Sequence, residues 1–101
     1  MTISITGLEP EPVPVPIGSP TPFVIVGTGL KTKGLSVGAA KDKDGAPVDK
    51  LSVDTDSSRV ATDNRLPVVA YADFGVVPGS YFVALKENDK LKATHSGIKV
   101  I

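Results

Sequence analysis

Nine prolines and ten glycines punctuate this chain of 101 residues every few positions. Between them helical periodicity is hard to find. What remains are short runs rich in Val, Ile and Thr that alternate apolar and polar side chains. "TISITG" sets Ile3 and Ile5 on one face, "PFVIVG" pairs Phe23 with Ile25, and "GLSVG" pairs Leu35 with Val37. "LSV" does the same with Leu51 and Val53, "SYFVALK" with Tyr81, Val83 and Leu85, and "GIKVI" with Ile98 and Val100. Period two is what a half-buried antiparallel strand requires. The pattern predicts strands over 2–6, 13–17, 21–28, 34–39, 48–54, 59–63, 66–72, 79–86 and 95–101, hence an all-β sandwich or barrel. Asp44-Gly45 in "KDKDGAP" is a hairpin signal, and "PGS" and "ENDK" are turn chemistry.

Six of the prolines fall within "EPEPVPVPIGSPTP" (9–22). Prolines 10, 12, 14 and 16 alternate with Glu11, Val13, Val15 and Ile17. In an extended strand the N–H groups of residues i and i+2 point to the same side. Four prolines at this spacing therefore remove donors from one edge and leave the other intact. Such a segment can pair on one side and refuse pairing on the other, as a protected edge strand does. The alternatives are a solvated polyproline II arm and a ligand for a proline-reading domain, although no charged anchor flanks a P-x-x-P core.

A chain of this length is one domain, 1–101, able to bury roughly 65% of its unfolded surface. It has no cysteine, which removes disulfides and thiolate metal sites. Eleven basic and eleven acidic side chains give zero net charge, against a nucleic-acid or polybasic membrane partner. "FVIV" and "LPVVAYA" are far short of a membrane span. Neither a basic n-region nor an apolar h-region follows Met1, so a protein made and folded in a cytoplasm is expected.

The order "ITGLEP", "FVIVGTGL", "KGLSVG", "VDTDSSRVAT", "VPGSYFVAL" resembles the IPT/TIG type of immunoglobulin-like domain over nearly the whole chain. Tyr81 in "PGSY" is similar to the tyrosine of immunoglobulin-type folds whose hydroxyl bonds back to nearby backbone. The resemblance implies an immunoglobulin-like antiparallel β-sandwich, with 9–22 as a proline-rich N-terminal edge strand or arm. It implies no catalytic residues, because that family shares no active site.

No residue set names a reaction. "GLSVG" (34–38) matches G-x-S-x-G, but that motif works on a strand–turn–helix and no helix follows Ser36. "GTGLKT" has Thr32 where a third glycine is required, and "GLKTKGLS" has Leu35 where a phosphate-binding lysine is required. His95 is alone. Asp42 with Asp44, and Asp54 with Asp56, have the spacing of calcium ligands but lack a closing Glu, and turn-forming aspartates are the commoner reading. Lys31, Lys33, Lys41 and Lys43 read as solvated loop residues or a modest basic end. These motifs predict no catalytic site, no metal and no cofactor.

"FVIV" is apolar on both faces: Val24 and Val26 oppose Phe23 and Ile25. Either the proline segment covers these side chains or a partner does. The expected function is a non-enzymatic interaction module. By analogy with immunoglobulin-like domains on tailed bacteriophages, it is a virion accessory protein, assembled in the host cytoplasm and docked as decoration or cement on the major capsid protein or another virion protein. The docking side expected is Pro12, Val13, Pro14, Val15, Pro16 and Ile17 with Val24 and Val26, and a homo-oligomer is allowed. The alternative is a glycan-binding or adhesive module, with or without calcium.

Overall fold

The computed structural model describes residues 2–101. Eight strands form: β1 (Ser4–Glu9), β2 (Val13–Val15), β3 (Thr21–Thr28), β4 (Leu35–Ala40), β5 (Leu51–Thr55), β6 (Arg65–Ala72), β7 (Gly79–Glu87) and β8 (Lys90–Val100). They make two four-stranded sheets, in the orders β1-β3-β6-β5 and β2-β8-β7-β4. Every neighbouring pair is antiparallel except β2 with β8, which is parallel.

The alternation in the sequence decides what lies between the sheets. Phe23 and Ile25 of β3, Leu66, Val68 and Ala70 of β6, and Leu51 and Val53 of β5 are buried from one side. Val83 and Leu85 of β7 and Ile98 and Val100 of β8 meet them from the other. Each of these side chains larger than alanine contributes roughly 1.5–3 kcal/mol. No polar or charged side chain is buried among the described residues, so the core has no internal hydrogen bonds to satisfy.

The proline segment belongs to this core. Val13 and Val15 are 0% exposed and face Ile98 and Val100 in register. The Ile101 N–H donates to the Val15 carbonyl, and the Ile17 N–H donates to the Ile101 carbonyl. The odd-numbered amides thus point to β8. Pro12, Pro14 and Pro16, all exposed, occupy the opposite edge and carry no donor.

Residues 10–12 carry the chain from the first sheet to the second, and the Glu9–Pro10 and Glu11–Pro12 bonds are cis. This crossing passes over Gly97, the extra residue of a bulge in β8. Gly97 has φ +139°, and a Cβ there would lie 2.9 Å from Leu8 Cδ1. A side chain at 97 would strain this left-handed backbone and press on the Leu8 side chain.

Three local expectations change. Residues 59–63 form no strand: Asp56 closes a turn with Ser58, and Arg59 is drawn back toward the sheet. The β8 strand begins at Lys90 rather than 95, because Asn88 and Asp89 both have positive φ and make a tight two-residue hairpin. The Asp44-Gly45 turn forms, but only one bridge, Ala40 to Pro47, follows from it. The loop instead folds over the outer side of the second sheet, where Thr94 Oγ1 donates to the Lys43 carbonyl at 2.8 Å. Ala40 and Ala84, beneath it, are buried outside the main core cluster.

Candidate interaction surface

The residues expected to dock a partner do not share a face. Val13 and Val15 are consumed by this chain's own core, and Ile17 is half-buried against it. Pro12, Pro14 and Pro16 line the free edge of β2. Val24 and Val26 lie elsewhere, half-buried on the outer side of the first sheet. The proline segment does not cover them, because it pairs with β8 in the second sheet.

Part of the cover comes from Arg59, which sequence reasoning placed in a strand. Its Nη2 donates to the carbonyls of Val68 at 2.9 Å and Phe23 at 3.3 Å, two residues that face each other across β3 and β6. The side chains of Phe23 and Val68 fill the core. The guanidinium therefore approaches from the outer side, where Val24 and Pro67 project, and Pro67 is buried. Asp56 holds the other side of the guanidinium, Nε to Oδ2 at 2.7 Å. Beyond Arg59 an apolar strip continues, with Pro22 opposite Val69 and Tyr71 37% exposed, flanked by Ser52 and Asp54 of β5. Arg65 and Glu9 form an ion pair across its margin.

The two sheets are also tied by a side-chain pair that the sequence keeps far apart. Glu11 Oε1 lies 2.8 Å from His95 Nε2 and accepts the Leu8 N–H at 2.9 Å. His95 is thus a tether for the crossing segment rather than a solitary exposed histidine. The Glu11 carboxyl is held below its ordinary 4.5, first by His95 and then by Leu8. The Asp56 carboxyl is held below 3.8 by the Ser58 hydroxyl, then by Arg59 and the Ser58 N–H. A carboxylate whose folded pKa is depressed adds stability that is complete above its ordinary value and is lost as pH falls through that value toward the folded one. The melting temperature is expected to drop between about pH 5 and pH 3, with a shallower drop in Glu11→Gln. A flat profile, or an unchanged slope in the variant, contradicts this assignment.

The remaining motifs resolve into structure. Ser36 sits exposed in the middle of β4, on the wall of a cleft of about 410 Å³ lined also by Gly45, Pro47, Ala84, Lys86 and Asp89. No histidine lines it, and a turn leading to β5 rather than a helix follows β4. Gly29 and Gly34 are turn glycines with positive φ. Asp42 Oδ1 accepts the amides of Asp44 and Ala46, and Asp56 Oδ1 accepts those of Ser58's N–H and hydroxyl, so both carboxylates serve their own turns. Among the described residues no three His, Cys, Asp or Glu side chains gather as metal ligands would. Lys31, Lys33, Lys41 and Lys43 are exposed on two separate loops.

The chain matches no family model and no curated protein sequence.

Proposed function

We propose that this chain is an immunoglobulin-like interaction module of the IPT/TIG type, and that it serves as an accessory protein of a tailed-phage virion docked on the major capsid protein. The sandwich order supports the fold reading. A β1-β3-β6-β5 sheet against β8-β7-β4 matches the A-B-E-D and G-F-C arrangement of immunoglobulin domains, with β2 as an added strand parallel to the last. Tyr81, near the start of β7, donates its hydroxyl to the Val77 carbonyl four residues upstream, as the corner tyrosine of such folds does.

The observation that carries the docking reading is the outer side of the first sheet. Pro22, Val24, Val26, Val69 and Tyr71 stand where a solvated sheet face carries polar side chains. Arg59 covers one part of it and leaves the rest for a partner. The virion setting rests on analogy with other phage immunoglobulin-like domains.

The test is particle composition. The protein is expected in purified virions at a fixed ratio to the capsid protein. Tyr71→Lys, which alters an exposed outward position away from Arg59, is expected to lower its retention on capsids by at least about tenfold with little change in melting temperature. Absence from particles, or affinity of the isolated domain for glycans or calcium, overturns the reading.

A further inference from the structure

We infer that the free edge of β5 is a self-association surface, through which two copies of this chain join their first sheets by antiparallel pairing about Val53. The inference comes from how the four sheet edges are treated, and it does not rest on the virion reading. An edge strand presents unpaired N–H and C=O groups that template pairing unless something blocks them.

Two of the edges are blocked along the strand, and a third is closed at one end. β2 carries prolines at every outward donor position. β1 has a bulge at Thr6, and its Leu8 N–H is capped by the Glu11 carboxylate. β4 is closed at its far end, where Pro47 bridges Ala40 and the Lys41 N–H donates to the Ala46 carbonyl, and the same loop walls the cleft beside Ser36 and Val37.

β5 has no such device. The Asp73 N–H donates to the Lys50 carbonyl, and the Asp56 N–H donates to the Pro67 carbonyl. Even-numbered residues of this stretch therefore point their backbone groups toward β6, and Leu51, Val53 and Thr55 point theirs outward. Among the described residues no turn, loop or side-chain hydrogen bond reaches these outward groups.

The strand is complementary to itself. With a two-fold axis at Val53, Val53 faces Val53 of the second copy and Leu51 faces Thr55, each pair exchanging two backbone hydrogen bonds. Leu51 and Val53, buried on the inner side, extend the apolar layer across the junction. On the outer side Ser52 faces Asp54, so each carboxylate meets a hydroxyl donor and no like charges are opposed. A contact of one five-residue strand is small, which places the dimer among weak associations.

Sedimentation equilibrium of the full chain from about 10 μM to about 1 mM is expected to show monomer giving way to dimer. In the same range, amide resonances of Leu51, Val53 and Thr55 are expected to shift and gain exchange protection, while those of Ser52 and Asp54 gain none. Thr55→Pro removes an outward donor and is expected to weaken the dimer at least about tenfold. Should that variant fail to fold, Ser52→Asp carries the test: it changes an exposed side chain and opposes carboxylates twice across the axis, weakening the dimer about tenfold, with recovery in high salt. A chain monomeric throughout, concentration-dependent shifts centred on another surface, or a dimer indifferent to both folded variants overturns the inference.

Discussion

Val15→Asp is expected to remove a large part of the protein's stability and to shift its unfolding to much lower denaturant. Val15 is 0% exposed, paired with Val100 and packed in the core cluster. A carboxylate there has no partner, because the core holds no polar side chain among the described residues. Burying such a group costs about 4 kcal/mol or more, against a total stability of about 5–15 kcal/mol for a domain of this kind. Pro14→Asp, one position away on the exposed edge, is expected to change stability by less than about 1 kcal/mol. Denaturant unfolding of the two variants reads the difference directly. If residues 13–15 were a solvated arm, both substitutions would be silent, and equal midpoints for the two would remove β2 from the fold.

Gly27→Ala is expected to detach β1. A Cβ at 27 would stand 1.9 Å from the Ser4 carbonyl oxygen and 3.1 Å from Ile5 Cα, and both are backbone atoms that no rotamer change can move. Gly27 is also held in place from the other side: its N–H donates to the Asn64 carbonyl, and its own carbonyl accepts Asn64 Nδ2. The strain therefore falls on β1, which contributes buried Leu8 and, through the preceding residue, buried Ile3. The loss is expected to reach about 3 kcal/mol, the upper part of the range for overpacking. Hydrogen exchange should show β1 amides unprotected while β7 and β8 keep theirs. Gly38→Ala, where a Cβ meets nothing within 4 Å, is the control and is expected to be nearly neutral. Equal protection of β1 in both variants contradicts this account.

Much of the strand content was legible, because alternation is a property of neighbouring residues. The run 21–28 and the apolar outer positions Val24 and Val26 could be read directly, as could the core positions of β5 and β7. The segment 59–63 misled because Val60 and Thr62 have strand-forming side chains. Val60 is nevertheless 87% exposed, since Arg59 is drawn onto carbonyls of Phe23 and Val68. No local signal marks that reach across 36 positions, nor the pairing of Glu11 with His95 across 84. That the proline segment and Val24 and Val26 lie on different sheets was hidden in the same way, because nearness in sequence does not reveal the change of sheet between them.

The amino-acid sequence by itself determined which side of each strand is apolar and which edge of the proline run can accept a partner, since backbone geometry links both to residue identity at fixed spacing. Only the tertiary structure decided that Val13 and Val15 lie against β8, that Arg59 caps the outer side of the first sheet, and that the edge of β5 stays open. Those outcomes depend on which distant strands meet, and a period-two pattern is equally compatible with many pairings until the packing of the whole core selects one.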